Sequence, residues 1–425
     1  MATPVHDGPT TDGGHAAGWQ DEAVPPSTPT TRTVRDAAGG IAVLAVANFV
    51  AITTEVLPVG LLPQLARGVG VPESTAGLLV TVYALVVAAC AVPLTLVTQR
   101  FPRKPLLLVT LATYAAGNLL VAVAPSYAVM AAGRTLGGIG HAVFFSVSIA
   151  YAARLVGPLH TGRALTLVTA GGTMGFVLGV PLSTSLGAAV GWRWSFALLG
   201  GVCALTALLV ARLLPAVAVD PPPARDRSAA RQGRRRLGVV VGTNTVLFGG
   251  HYAVYTYISV LLLAAGLSEA AVGPVLLLFG ALGLVGLWAA ARYLDRTPRA
   301  LTITAMATIV VALAVLALAL PHPAGVLVAG GVWLAAFGAI PATFQAAALR
   351  TQGATADVAG AFVNATSNLG IGLGAALGAT LVAGPGTQAL ALTGAGVVAV
   401  ACVAVLVARG AFPRDAARTD PDPVR

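Results

Sequence analysis

Glu55, Arg134, His141 and His251 stand in the middle of long apolar runs, where an ionisable group is costly and is therefore a candidate for function. A carboxyl group there can carry a proton or hold a polar substrate, and a guanidinium can pair with it. An imidazole can act as donor, acceptor or relay. Asn48 shares a face with Glu55, since seven helical residues turn through about 700°, roughly 20° short of two turns. By the same arithmetic Arg134, His141, Phe145 and Ser148 fall within about 40° of one line. Asn244, Phe248, His251 and Tyr255 form a second such stripe, and Trp333, Phe337 and Phe344 an aromatic third. Each has a plainer reading beside the functional one: Glu55 paired with Arg134 merely to lock two helices, and neutral histidines hydrogen-bonded in a core.

The elements that must position these groups follow from composition. The 425 residues are 57% hydrophobic and only 9% charged, against about 25% charged in ordinary globular chains. So little charge cannot cover a soluble surface, and the 50 glycines follow no triplet period. An all-α polytopic membrane protein remains, since a spanning helix takes about 20 apolar residues and satisfies its own backbone. Breaks at charge, Pro and Gly clusters predict twelve transmembrane helices: 40–64, 75–98, 105–124, 128–153, 163–189, 194–214, 238–264, 270–292, 300–320, 325–348, 357–383 and 387–408. Cys90, Cys203 and Cys402 each lie in an apolar run and read as small buried hydrophobes. Residues 1–38, rich in Pro, Thr, Gly and Asp, read as a disordered tail and not as a signal peptide.

A basic loop at 215–237 divides an N-terminal six-helix bundle (39–214) from a C-terminal one (238–409), with a short tail at 410–425. The halves repeat. Arg100, Pro102 and Arg103 recur 196 residues later as Arg296, Pro298 and Arg299; Arg154 recurs as Arg350, Asn48 as Asn244, and Glu55 falls on His251. Gly171, Gly175 and Gly179 match Gly370, Gly374 and Gly378 at an offset of 199. Parallel six-helix repeats are an architecture of transporters.

With these motifs in hand, the chain resembles the major facilitator transporters over about residues 38–410. QRFPRK, with Arg100, Arg103 and Lys104, is similar to the family's loop between helices two and three. GRTLGGIG carries Arg134, Gly138 and Gly140 at the positions of the fourth-helix motif. GFVLGVP, with Gly175, Gly179 and Pro181, resembles the fifth-helix motif of antiporters. The loop has Thr95, Gln99 and Pro102 where the family has Gly, Asp and Gly, so its helix-capping aspartate is missing from the first half and kept as Asp295 in the second. Val180 separates Gly179 from Pro181. TTEVLPVGLLPQLA, GGIGHAVFF and GVPLSTSLG are similar to the branch that includes chloramphenicol-resistance and sugar-efflux exporters. The resemblance implies two pseudo-symmetric bundles, a cavity lined by helices one, four, seven and ten, and a monomer. Glycine ladders and Pro181 then suit sliding or bending helices, and Arg100, Arg103, Lys104, Arg296 and Arg299 suit a latch on helix C-termini and backbone carbonyls.

Charge sorting orients the chain. With the N-terminus inside, 22 of the 25 Lys and Arg residues fall on the inner face, Arg67 and Arg193 fall outside, and Arg134 is buried in a span. The termini and central loop are thus expected to be cytoplasmic, in a plasma or inner membrane whose anionic lipids meet the basic face. The net charge of +10 then signals topology and not nucleic-acid binding.

The expected function is alternating-access, proton-coupled efflux of a small drug-like or sugar-like molecule, with the apolar and aromatic stripes favouring an amphipathic one. An importer or uniporter is the alternative. No GxxxxGK[ST], HExxH or GxSxG element appears, so no ATP use, cofactor, metal or enzymatic activity is expected.

Overall fold

Twelve apolar stretches become twelve long helices because every backbone donor in a lipid-spanning segment must be satisfied within the segment. The computed structural model describes residues 33–98, 101–156, 160–215, 217, 231–354 and 356–412. Among them the helices apolar and long enough to span are α1 (Ala38–Val69), α2 (Glu73–Thr98), α3 (Arg103–Ala122), α4 (Tyr127–Leu155), α5 (Arg163–Val190), α6 (Trp192–Leu213), α7 (Arg231–Tyr255), α8 (Glu269–Tyr293), α9 (Pro298–Ala319), α10 (Pro323–Arg350), α11 (Val358–Ala383) and α12 (Thr387–Val407). Arg100 and most of the 1–38, 215–237 and 410–425 segments lie outside the described residues. Large side chains such as Trp194, Leu198, Trp288, Leu318 and Val400 face outward, an apolar surface far larger than a soluble protein shows.

Three elements depart from the expected spans, one of them α10, which is interrupted at Gly338–Ala339 between Pro323–Phe337 and Ile340–Arg350. α7 begins at Arg231, inside the stretch read as loop, because Arg is a good helix former and the helix runs on beyond its apolar part. It also ends at Tyr255, and a short helix, Ile258–Ala264, completes the crossing. α5 widens into a single π turn over Gly175–Gly179. Pro181 follows it; a proline has no N–H for the carbonyl four residues back and its ring crowds that carbonyl, so the preceding turn opens.

Each six-helix half packs around its own core. The first is built from residues such as Leu44, Leu57, Tyr114, Phe144 and Phe196; the second centres on Trp333, Phe344, Phe279 and Leu313 and takes in Ile52, Val56, Val80 and Val180 from the first half. The glycine ladders do equivalent work in the two halves. A methyl group on Gly171, Gly175 or Gly179 would overlap Ala45, Phe49 or Thr53 of α1, and one on Gly370, Gly374 or Gly378 would overlap Thr245, Gly249 or Ala253 of α7. Both ladders therefore let backbones meet closely, α5 on α1 and α11 on α7. Gly138 and Gly140 do the same for α4, against α2 and α3.

The basic motifs anchor within each half. Lys104 Nζ donates to the carbonyls of Ala211 (2.9 Å) and Leu214 (2.6 Å) at the end of α6. Arg299 Nη2 donates to Leu406 at the end of α12 (2.6 Å). Both meet helix C-terminal carbonyls, where a cation is favoured. Arg296 is exposed, and Arg103 keeps a buried Nε without a partner. Asp295 caps no helix: it is exposed, and its carboxylate lies 3.5 Å from Arg350, because α9 starts instead at Pro298.

The halves are bonded to each other on the face opposite the termini. Ser259 Oγ donates to the Val59 carbonyl (2.8 Å), the Tyr257 hydroxyl to Ser74 (3.3 Å), and Arg67 pairs with Glu269 (2.7 Å).

Candidate functional site

The first-half site is organised by a proline. Pro58 lies inside α1 and cannot donate to Thr54, four residues back, which leaves that carbonyl bare in the protein interior. Arg134 of α4, buried to 2% exposure, fills the need: Nη1 donates to the Thr54 carbonyl (2.5 Å), Nη2 to the Glu55 carbonyl (2.6 Å) and Nε to Leu79 of α2 (3.4 Å). Its guanidinium lies over the Tyr83 ring, 4.1 Å from the centroid. The ion pair that sequence suggested between Glu55 and Arg134 therefore does not form as such. The arginine binds the backbone oxygen of Glu55, because the proline-freed carbonyl beside it is the stronger claim.

The Glu55 carboxylate instead faces His141, with Oε2 3.6 Å from Nε2. The other imidazole nitrogen, Nδ1, is 2.9 Å from the Tyr83 hydroxyl. A phenol can donate or accept, so this ring is free to hold its proton on either nitrogen. At 3.6 Å the carboxylate and Nε2 are close but beyond hydrogen-bond range, and the Tyr83 contact fits either tautomer of the ring. Phe145 packs on His141 at 5.0 Å and borders both cores.

The second-half site is aromatic. His251 of α7 is stacked on Phe337 (centroids 3.4 Å apart, planes 6° apart) and on Tyr255 (5.3 Å, 19°), and meets Trp333 and Tyr252 edge-on. Trp333 Nε1 donates to His251 Nδ1 at 3.1 Å. His251 and Trp333 are buried, whereas Tyr255 and Phe337 are only partly so. The two sites meet through Phe145, which packs on His141 and also against the core that holds Phe248, Tyr252 and Trp333.

Asn48 and Asn244 act as ties between helices. Asn48 Nδ2 donates to Ser148 of α4 (2.8 Å) and to Leu44. Its counterpart Asn244 turns to α11, donating to Ser367 (2.8 Å), Thr366 and Val363, because the residue equivalent to Ser148 is Phe344 and offers no acceptor. Sequence reasoning passed over Tyr83, Thr54 and Asn118, whose Nδ2 donates to Thr54 Oγ1 (2.9 Å). Tyr83 had a signal: it is the sole tyrosine of α2 and sits at mid-span.

Twelve helices in two equivalent halves around adjoining polar and aromatic sites define a secondary transporter. The family model of the Major Facilitator Superfamily matches residues 44–362, and the chain belongs to that superfamily. It is 33% identical over 351 residues to a chloramphenicol efflux pump of Mycobacterium tuberculosis, covering 80% of this chain and 85% of that one. It is 30% identical over 344 residues to a probable sugar efflux transporter of Mannheimia succiniciproducens, again 80% and 85%. Among solved structures, a D-xylose-proton symporter superposes with a TM-score of 0.70 at 16% identity, covering 89% of this chain and 98% of that one. An inward-facing bacterial homolog of the human lysosomal transporter Spinster does so with a TM-score of 0.70 at 14% identity, covering 88% and 97%.

Proposed function

We propose that this protein exports a small drug-like molecule in exchange for protons, by alternating access, with Glu55 as the proton carrier. The observation that carries the reading is that the donors of Arg134 are held by backbone carbonyls, so protonating Glu55 takes no hydrogen bond from the guanidinium. The groups facing Glu55 are Arg134, His141 and, through His141, Tyr83. Each proton entering down 100 mV supplies about 2.3 kcal/mol. The relatives named for chloramphenicol and sugar efflux support outward transport of a small molecule.

The distribution of Lys and Arg supports a cell-membrane protein whose termini are cytoplasmic and whose basic face meets anionic lipid, and membership of the superfamily supports a monomer. On that orientation the bonded face is the outer one. Lys104 and Arg299, each fixed to a helix end within its own half, serve as rigid braces for bundles that rock as units.

The test is uptake of radiolabelled chloramphenicol into inverted membrane vesicles. An acid lumen is expected to drive accumulation by the intact protein, and Glu55→Gln to abolish the gradient-driven part. Accumulation that is equal with and without a gradient, in both proteins, rules the reading out.

A further inference from the structure

Where the first half reaches the face of the termini, a cavity of about 300 Å³ opens between the start of α1 and the ends of α4 and α6, lined by Asp36, Ala37, Gly40, Leu155, Arg212 and Leu214. That volume is at the lower end for a small-molecule site. The floor is apolar, since Ala37, Leu155 and Leu214 are buried. The rim carries one charge of each sign, Asp36 on the α1 side and Arg212 on the α6 side, both exposed.

The two charges are placed by their neighbours. Lys104 donates to the carbonyls of Ala211 (2.9 Å) and Leu214 (2.6 Å), and the Tyr151 hydroxyl donates to Pro215, so the end of α6 is satisfied without Arg212. Among the described residues the Arg212 guanidinium has no hydrogen-bond or ion-pair partner. Across the cavity the Asp36 carboxylate is oriented by Thr33, whose N–H and hydroxyl both donate to Oδ2 (2.9 and 2.8 Å).

A guest of one sign fits badly. An anion drawn to Arg212 meets the Asp36 carboxylate, and a cation drawn to Asp36 meets the guanidinium. Opposite charges a few bonds apart in one molecule answer both. Depth narrows the class further, because the ends of three spans lie at the level of the lipid headgroups, and the apolar floor suits the glycerol and first acyl carbons beneath a headgroup. The carboxylate also separates zwitterionic lipids from one another: an ammonium brings N–H donors for a charge-assisted bond, and a quaternary choline brings none.

We infer that this cavity binds one phospholipid by a phosphoethanolamine headgroup, phosphate to Arg212 and ammonium to Asp36. Its choice differs from that of the basic face as a whole, which draws anionic lipid through long-range charge. Bound there, the lipid ties the start of α1 to the end of α6 and braces the first half. Which leaflet supplies it follows from the orientation proposed above; the binding itself does not.

The experiment is native mass spectrometry of the full chain in detergent with an equimolar mixture of phosphatidylethanolamine, phosphatidylcholine and phosphatidylglycerol of identical acyl chains. The ethanolamine lipid is expected to be retained over each of the others by about threefold, the scale of one exposed charged contact. Asp36→Asn is expected to remove the preference over the glycerol lipid, and Arg212→Gln to lower retention of all three. Arg292→Gln, which removes an exposed charge from the second half, is expected to change neither and controls for net charge. Thermal unfolding is expected to shift upward with the ethanolamine lipid in the intact chain and not in Arg212→Gln. Equal retention of the three lipids, retention led by the glycerol lipid, or preferences unchanged in both cavity variants each overturns the inference. Displacement of the lipid by millimolar free phosphoethanolamine does so too, since the charges alone would then suffice and the apolar floor would hold nothing.

Discussion

The two halves place different chemistry on one scaffold. Across the offset of 196 residues Glu55 corresponds to His251, His141 to Phe337, Tyr83 to Phe279 and Arg134 to Gly330. In the first half a carboxylate faces an imidazole, and a guanidinium covers a tyrosine ring. In the second an imidazole stacks on a phenylalanine, and the Phe279 ring closes on Gly330, filling the space that an arginine would need. The contrast between the histidines follows from their partners. Tyr83 can donate or accept, so His141 can change tautomer; Trp333 can only donate, so His251 cannot. Equivalent positions thus carry different chemistry, a buried acid beside an imidazole in one half and a neutral imidazole among aromatic rings in the other.

Removing the keystone of the charged half has the largest expected effect. Arg134→Leu leaves the Thr54 carbonyl without a donor, takes a second donor from the carbonyls of Glu55 and Leu79 and uncovers Tyr83, and the loss of stability is expected to be roughly 1–3 kcal/mol, read as thermal unfolding in detergent. Arg134→Lys restores the charge but not the fork, and should recover only part of it. Unfolding unchanged in Arg134→Leu contradicts the assignment of Arg134 to the Pro58-freed carbonyl.

Converting one half toward the other tests the contrast more finely. His141→Phe gives the first half the residue of its counterpart Phe337. The ring packing against Phe145 is kept, while the Tyr83 hydroxyl and the Glu55 carboxylate lose their link. Gradient-driven accumulation in inverted vesicles is expected to fall at least tenfold, with equilibrium binding of chloramphenicol reduced no more than a few-fold. A parallel loss of both measurements would show that the halves do not divide the work.

Much of this arrangement was legible in the chain. Apolar run lengths predict the spans because lipid imposes one length rule on all of them, and the helical stripes collect Glu55, Arg134, His141 and His251 because 3.6-residue periodicity is fixed geometry. What escaped depends on how helices meet. That Trp333 reaches His251 is a property of the α7–α10 crossing, and Tyr83 enters through α2, which carries no stripe of its own. The acceptor of Arg134 is different, since Pro58 four residues after Thr54 marks an orphaned carbonyl in any helix and could have been used. The break after Tyr255 has no Gly or Pro to announce it; the turn at Thr256 is set by the packing of Tyr257 against α2 and α11.

The same proline logic yields the smallest prediction, at the closed face. Pro63 lies inside α1 and leaves the Val59 carbonyl without a helical donor, and Ser259 from the other half supplies one at 2.8 Å. The nearby Arg67–Glu269 pair is shorter, at 2.7 Å, but its side chains are 58% and 44% exposed. Water and salt screen such a pair, which is worth about 0–1 kcal/mol, whereas a buried carbonyl robbed of its only donor costs roughly 1 kcal/mol or more. Opening this face must break both. Ser259→Ala is therefore expected to shift the population toward the state open on this face by about fivefold, measured as distances between spin labels on the outer ends of α1 and α8. Raising the salt concentration on the intact protein should move those distances less. If salt opens the face more than Ser259→Ala does, the surface ion pair holds the halves together, and the carbonyl made available by Pro63 is a matter of local packing alone.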